Sequence, residues 1–224
     1  MMMSLFSMFD PSASFNLSLN WLVMPMSLLI LPMNFWNVKS RINMTIIIII
    51  KSLHKEFYSL FNKKILNKGT TLIPITLFLI IMINNMMSNF PYNFCCSAHL
   101  SFSLTLSIPI WMSIILYYWI SMTKSMLSHL VPTGTPSLLM PLMVIIELTS
   151  NIIRPLALAV RLTANLIAGH LLMALLGNTF NIFSLQWPLV MIIQTMFLLF
   201  EFMVALIQSY VFSILMTLYS SEIS

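Results

Sequence analysis

Residues 137–176 read SLLMPLMVIIELTSNIIRPLALAVRLTANLIAGHLLMALL, and this stretch decides the fold of the chain. Its only charged residues are Glu147, Arg154 and Arg161. A helix of about 40 residues extends roughly 60 Å, which is twice the thickness of the bilayer hydrocarbon. Such a helix must tilt steeply or break, for example at Pro155. A steep tilt is the simpler way to keep the apolar residues out of water, so we predict a slanted membrane helix.

The rest of the chain has the same apolar character. The 224 residues are 59% apolar and 7% charged, a balance that a water-soluble domain of this size does not have. Further charge-poor runs cover residues 15–36, 71–87, 100–122 and 187–219, and each reaches or approaches the roughly 20 residues that span the hydrocarbon. We therefore predict an all-α integral membrane protein with five crossings.

We expect residues 1–224 to form a single membrane domain. Between the first two crossings, Leu53, Phe57 and Leu60 recur at helical spacing while lysines occupy the other face, which predicts an amphipathic helix on the membrane surface. A polar loop with chance periodicity is the alternative. The predicted elements are a first transmembrane helix at 15–36, the amphipathic helix at 45–66, a transmembrane hairpin at 71–122, and two long tilted helices that form an antiparallel hairpin at 137–222.

Basic residues crowd one connection and indicate the topology. Seven of the ten lysines and arginines lie between Lys39 and Lys68. Short loops rich in lysine and arginine stay on the inner side of a membrane, so this connection and its amphipathic helix are predicted to be inside. Counting crossings then puts the N-terminus outside and the C-terminus inside.

Polar side chains interrupt both long apolar runs. The candidates are Glu147, Arg161, Asn165, His170, Glu201, Gln208 and Glu222. An ionisable group at membrane depth costs about 3 kcal/mol on insertion scales, so such groups are functional candidates that line protein or water. Pairing that merely holds the last two helices together is the structural alternative.

An antiparallel hairpin that turns near Leu185 aligns these side chains at three depths. The predicted pairs are His170 with Glu201, Arg161 with Gln208, and Glu147 with Glu222. Carboxylates and histidine exchange protons when burial and neighbours bring their pKa values toward ambient pH, whereas arginine stays cationic. Two proton sites on either side of a fixed cation predict two offset half-channels, with Arg161 as the gate between them.

The sequence lacks the marks of catalytic and cofactor sites. It has no phosphate loop, nucleophilic triad or dinucleotide fingerprint, so we expect no catalytic site in this chain. Cys95 and Cys96 are adjacent and match neither a disulfide framework nor a metal-ligand spacing. His99 and His129 have no neighbouring ligand in sequence, so we expect no metal and no cofactor.

The polar stretch resembles a known family. The run IRPLALAVRLTANLIAGHLL at 153–172 is similar to the signature around the essential arginine of subunit a in the ATP synthase membrane sector, in its mitochondrial form. HLVPTGTPSLLMPLMVIIE at 129–147, ALIQSYVFSILMTLYSSE at 205–222 and LHKEF at 53–57 extend the resemblance over essentially the whole chain.

The resemblance implies a stator that lies beside a rotating ring of c subunits, each with a carboxylate that gains and loses protons. It makes Arg161 the stator arginine, assigns His170 and Glu201 to the outer path, and assigns Glu147 and Glu222 to the inner path. Asn165 and Gln208 fall on the family's polar positions beside the arginine. Implied partners are the c-ring, other membrane-sector and peripheral-stalk subunits, protons and the lipid bilayer, with no nucleic acid. The implied location is the mitochondrial inner membrane, with the N-terminus in the intermembrane space and the C-terminus on the matrix side.

Two other functions use similar side chains. An independent proton-coupled transporter also has buried charges and slanted helices, but it predicts inverted internal repeats, which this sequence does not show. A membrane redox subunit of a respiratory complex requires axial histidines on facing helices or a quinone site, whereas the four histidines here are scattered.

Overall fold

The regular structure is helical throughout the part of the chain that is described. A computed structural model describes residues 7–12, 18–29, 40–61, 70–90, 93–131, 136, 139–178 and 187–222. Within these ranges the backbone forms α-helices and short 3₁₀ turns, and no strand is present. Three of the helices are long and apolar enough to cross a membrane. The predicted class, an all-α integral membrane protein, is confirmed at this level.

Seven α-helices follow one another in these ranges. They are α1 (Val23–Leu28), α2 (Arg41–Leu60), α3 (Leu72–Ser88), α4 (Leu100–Ser121), α5 (Thr123–His129), α6 (Met140–Asn178) and α7 (Trp187–Glu222). Short 3₁₀ turns cover Ser7–Phe9, Leu19–Leu22 and Cys96–Ala98. Helices α4, α6 and α7 are the three that could span a membrane.

Helices α6 and α7 have the unusual length that the hydropathy pattern predicts. Helix α6 has 39 residues and is continuous from Met140 to Asn178 with Pro155 inside it, while α7 has 36 residues. Helix α3 has 17 residues, about 26 Å at 1.5 Å per residue, and is therefore close to the minimum for a crossing.

Several predicted segments lie partly outside the described residues. Of the first predicted transmembrane helix, 15–36, the 3₁₀ turn Leu19–Leu22 and α1 are described, and residues 15–17 and 30–36 are not. Residues 62–66 of the predicted amphipathic helix also lie outside the described residues. So do residues 179–186, which include the predicted turn near Leu185.

The main core lies where α3, α4 and α6 meet α7. Helix α3 packs along α7, α4 packs along α6, and α6 packs against α7. Ile81 of α3 and Leu162 of α6 are completely buried in this core, and Phe212 of α7 is 1% exposed. Ser209 and Ser213 of α7 are also fully buried, and such small side chains allow helices to approach closely.

Helix α2 packs against α3 and α7 through the apolar face that the sequence predicts. Its first turn is capped by Ser40, whose Oγ accepts a hydrogen bond from the Asn43 amide at 3.3 Å. Leu53 and Phe57 are buried with Phe78 in a second apolar cluster. The helix ends at Leu60, since the next residue has an extended backbone.

The two cysteines are part of the core. Cys95 and Cys96 are buried and free, and the turn Cys96–Ala98 packs against α6. Burial raises the pKa of the Cys96 thiol to about 11 and raises the pKa of Cys95 in the same way. Both thiols therefore stay protonated at neutral pH and act as small apolar side chains.

His99, which has no potential partner nearby in sequence, lies among aromatic rings. The centroids of Trp21 and Phe94 are 5.3 Å and 5.1 Å from the centroid of its imidazole ring. In the described ranges, no group of three or more histidine, cysteine, aspartate or glutamate side chains comes together as a metal site. These contacts tie the segment before α1 to the start of α4.

Candidate functional site

Three side-chain contacts fix the register of α6 against α7. They are the hydrogen bond of Asn165 to Gln208, the approach of Glu201 to Gly169, and the stacking of Arg154 on Tyr219. As the residue number rises along α6, the number of its partner on α7 falls. In the structure the two helices are therefore antiparallel neighbours.

Arg161 lies on the outer surface of this helix pair. Its side chain is exposed, whereas the next two residues, Leu162 and Thr163, are buried against the rest of the protein. Among the described residues, Arg161 makes no hydrogen bond and no ion pair. A permanent cation is therefore presented on the free face of α6, available to a partner.

Small side chains surround this cation. Ala157, Ala164 and Ala168 are exposed on the same face of α6, while Ala159 is completely buried in the core. The three exposed alanines form a low-relief surface beside Arg161. Such a surface lets another helix come close to the guanidinium or slide past it.

A polar cavity opens between α3, α6 and α7 on one side of Arg161. Its volume is about 280 Å³. The polar side chains that line it are Asn85, Asn89, Asn165, His170, Glu201 and Gln208. His170 and Glu201, a predicted pair, both line this cavity.

Several polar atoms of the cavity lack protein partners. Among the residues that the structure describes, His170 Nε2 and Glu201 Oε1 are buried without a hydrogen bond, and so are both side-chain amide atoms of Asn85 and of Asn89. Buried polar atoms are normally hydrogen-bonded to protein or water. A cavity of this size, lined by so many such atoms, has the room and the partners to hold several water molecules.

Asn85 and Asn89 are site residues that the sequence reasoning missed. The nearby Asn84 has a structural role, because its Oδ1 accepts from Ser27 Oγ at 2.8 Å and its Nδ2 donates to the Ile80 carbonyl. Asn85 and Asn89 instead line the cavity. The signal was present in the sequence, since amides inside an apolar span are costly unless they bind something.

Glycine at position 169 lets the Glu201 carboxylate lie against α6. A Cβ atom added at Gly169 would be 2.5 Å from Glu201 Oε1 and 3.0 Å from its Cδ, closer than real side chains approach. The carboxylate therefore occupies the space that any other residue would fill. His170 is the next residue of α6, and its side chain lines the same cavity as Glu201.

For the proton path that the sequence predicts, replacing Gly169 with alanine is expected to lower the transport rate about tenfold, because a small displacement of a reacting group has a large effect on rate. The packing of α6 should survive, since the displaced atoms are at the end of a flexible side chain. The matched control is Gly177→Ala, because nothing lies within 4 Å of a Cβ at that position. Proton pumping by vesicles that contain the two variants checks the prediction, and equal rates in the two would contradict it.

A second cavity lies toward the other end of α6 and has a volume of about 420 Å³. Glu147, Asn151 and Arg154 follow one another at helical spacing and line it from α6. Tyr219 lines it from α7, and its ring lies 5.2 Å from Arg154 Cζ in a cation–π contact. Glu147 is thus placed beside a cavity, while the side chain of its predicted partner Glu222, the last residue of α7, lies outside the described part of the chain.

The two cavities share no lining residue, and Arg161 lines neither. Continuous helix separates Glu147 from His170 by roughly 35 Å, with Arg161 between them. The structure therefore groups Asn165, His170, Glu201 and Gln208 in one cavity and leaves Glu147 in the other.

The partner of Gln208 differs from the predicted one. The predicted partner of Gln208 is Arg161. Instead, Gln208 Oε1 accepts a hydrogen bond at 3.3 Å from Asn165 Nδ2, and Asn165 lies one helical turn beyond Arg161. Gln208 is buried on the α6 side of α7, whereas Arg161 points away from the helix pair, so the amide of Asn165 is nearer. The Gln208 amide nitrogen still has its donor capacity.

Comparisons with known proteins agree along the full length. The family model described as "ATP synthase A chain" matches residues 17–221. Proteins named ATP synthase subunit a are similar to this chain: those of Drosophila simulans and Drosophila melanogaster are 52% identical over 227 residues, and that of Aedes aegypti is 51% identical. Each of these alignments covers 100% of both chains.

Proposed function

We infer, since this chain belongs to the ATP synthase A chain family, that it translocates protons in the membrane (Fo) sector of a mitochondrial ATP synthase and thereby serves ATP synthesis. It is a multi-pass helical subunit of the inner membrane that associates with other Fo subunits. Family membership removes support from the two alternatives raised by the sequence, an independent transporter and a redox subunit.

In the proposed mechanism, protons cross through two half-channels that do not meet. The observation that carries this proposal is the exposed Arg161, which has no hydrogen bond or ion pair within the described part of the chain and lies between two cavities with no lining residue in common. A proton cannot use a guanidinium as a carrier, because arginine does not deprotonate in proteins. It must therefore transfer to a moving partner that passes in front of Arg161.

The outer half-channel is the polar cavity. Water in it would satisfy the unpaired atoms of His170, Glu201, Asn85 and Asn89 and would connect them into a hydrogen-bonded path. His170 and Glu201 bind and release the proton, since imidazole and carboxyl groups titrate, whereas the asparagine amides orient the water. Gln208 and Asn165 lie at the end of the cavity nearest Arg161 and guide the proton to the partner.

The inner half-channel is the second cavity. Glu147 accepts the proton that the partner releases, and Glu222, at the inner end of α7, passes it on. Arg154 lies in the same cavity and is held over Tyr219.

The partner is a ring of small c subunits, each with one carboxylate at the depth of Arg161. A carboxylate that faces Arg161 is stabilised in its ionised form, and it must take up a proton before it can enter the lipid. The ring therefore turns in the direction that carries protons from the outer cavity to the inner one. Peripheral-stalk and other membrane-sector subunits hold this chain in place, and ATP chemistry occurs elsewhere in the complex.

In the membrane, residues 1–224 form one domain. Residues 15–36 are the first transmembrane helix, and α2 lies on the inner surface, where its lysines meet anionic headgroups. Helices α3 and α4 form a transmembrane hairpin, and α6 and α7 cross at a steep tilt because about 58 Å of helix must fit about 30 Å of hydrocarbon. The N-terminus is in the intermembrane space and the C-terminus is on the matrix side.

Cysteine cross-linking in the assembled complex tests the proposed contact with the ring. Ala164→Cys places a thiol on the exposed face beside Arg161, and it is expected to cross-link to a small c subunit and to stop proton pumping. Ala159→Cys is the matched control, because that side chain is completely buried inside the chain. Cross-linking of Ala164→Cys only to lipid-soluble probes, with no c subunit attached, would refute the proposed interface.

A further inference from the structure

Helix α2 is joined to α7 by a hydrogen bond that the proposed proton path does not use. The Tyr210 hydroxyl of α7 donates to Glu56 Oε2 of α2 at 3.0 Å, across 154 residues of sequence. Beside this bond, the completely buried Phe57 packs with Phe78 of α3, and Ile214 of α7 packs on the same cluster. The contact between α2 and α7 is therefore both polar and apolar.

Helix α2 is also fixed independently of Glu56. His54 Nδ1 and Thr71 Oγ1 are 3.0 Å apart in a hydrogen bond, and Thr71 is buried immediately before α3. Leu53, one residue earlier in α2, is buried in the apolar cluster. These contacts attach α2 to α3. The position of Glu56 is therefore fixed by α3, and its hydrogen bond to Tyr210 restrains α7.

Tyr210 lies on the opposite side of α7 from Gln208. Two residues of α-helix correspond to a rotation of roughly 200° about the helix axis. Gln208 bonds to Asn165 of α6 on one side, and Tyr210 bonds to Glu56 of α2 on the other. Within one turn, α7 is thus held from two opposite directions, and rotation of α7 about its axis would strain both bonds.

We propose that Glu56 and Tyr210 are positioning residues that fix the rotation of α7 and thereby keep Gln208 against Asn165 at the end of the polar cavity. This inference rests on the proposed function, because the role of Gln208 in proton transfer is assigned there. Neither residue touches the proton. Without the bond, α7 rotates over a wider range and Gln208 is correctly placed for a smaller fraction of the time.

The test uses the complete ATP synthase in vesicles and measures ATP-driven proton pumping per assembled complex. Tyr210→Phe removes the donor and Glu56→Ala removes the acceptor, and each is expected to lower pumping about two- to fivefold, as suits an exposed hydrogen bond. Glu56→Gln keeps an acceptor oxygen at the same place without the charge. Glu56→Gln should therefore pump near the parent rate. If the charge of Glu56 mattered and the hydrogen bond did not, this variant would be impaired.

Two substitutions on α2 serve as matched controls. Tyr58→Phe removes the hydroxyl of another exposed tyrosine, and Lys55→Ala truncates an exposed neighbour of Glu56. Both should pump at the parent rate. The double variant Glu56→Ala with Tyr210→Phe should be no slower than the slower single variant, because both changes remove the same bond.

Pumping by Tyr210→Phe at the parent rate would overturn the inference. So would a double variant whose fold-loss in pumping rate equals the product of the fold-losses of the two single variants. A third contrary result is that the lower pumping of the variants is explained entirely by a smaller amount of assembled complex. Gln208→Ala separates this inference from the proposed function. If Gln208→Ala is impaired while Tyr210→Phe is normal, only the positioning role fails. If Gln208→Ala pumps normally, the proposed proton path itself fails.

Discussion

Replacing Arg161 with alanine is expected to abolish ATP synthesis driven by a proton gradient, with a loss of at least about 100-fold. The reason is that no other described side chain on the exposed face of α6 around Arg161 carries a positive charge. In the proposed mechanism, loss of this charge means that a carboxylate of the c-ring is no longer held in its ionised form and that the two proposed half-channels are no longer separated by a charge. The measurement is ATP synthesis by the complex in vesicles with an imposed proton gradient.

Two further substitutions sharpen this prediction. Arg41→Ala removes another exposed arginine, at the start of α2 and outside the long helices, and should leave synthesis unchanged. Arg161→Lys keeps a positive charge but lacks the planar guanidinium, so we expect partial activity. The assigned role of Arg161 is wrong if the alanine variant assembles normally and still makes ATP.

Replacing Glu201 with glutamine is expected to lower proton uptake from the outer side about 100-fold, which is the effect of removing a group that transfers protons. Glutamine has nearly the same shape and can fill the space beside Gly169, but it cannot ionise. The cavity and the packing of α6 on α7 should therefore be retained while the chemistry is lost. Gradient-driven ATP synthesis and the amount of assembled complex are the two quantities to measure.

The control for this variant is Gln194→Ala, which removes a polar side chain from α7 about two turns earlier, outside the lining of the polar cavity. It should have little effect. Glu201→Asp retains an acid on a shorter side chain and should support intermediate rates. Normal ATP synthesis by the glutamine variant would show that protons reach the ring without Glu201.

The long helices are predictable from the sequence because hydropathy alone defines them. The charge-poor runs at 137–176 and 187–219 correspond to α6, Met140–Asn178, and α7, Trp187–Glu222. Antiparallel packing follows from their adjacency and from the alignment of polar residues along them. The same alignment predicts that His170 and Glu201 lie close together, and both side chains line one cavity; their role in proton transfer stays a prediction.

The remaining features depend on packing that the sequence pattern does not contain. Whether Asn84 or Asn85 points into the cavity is decided by the rotation of α3 against α7, and adjacent residues differ by about 100°. The choice of Asn165 over Arg161 as the partner of Gln208 is a difference of one helical turn. Pairing by residue number is not accurate enough to resolve that difference.

The contact of α2 with α7 also could not be predicted from the sequence, because it joins residues that are far apart in the chain. Glu56 is exposed, and its carboxylate accepts a hydrogen bond from the Tyr210 hydroxyl, a contact that no sequence pattern indicates. No periodicity relates residues so far apart in sequence. The start of α2 also differs, at Arg41 instead of residue 45, because Ser40 caps the helix one turn earlier.

The exposed position of Arg161 has a consequence for biogenesis. A guanidinium that faces lipid tails costs about 3 kcal/mol on insertion scales, and within the described chain no counter-ion offsets this cost. If this chain joins a ring of c subunits as proposed, carboxylates of the ring neutralise the charge, and a newly made copy is less stable alone than after assembly. Orphan copies should be the preferred targets of membrane quality-control proteases, so the cell has to match synthesis of this chain to the supply of completed rings.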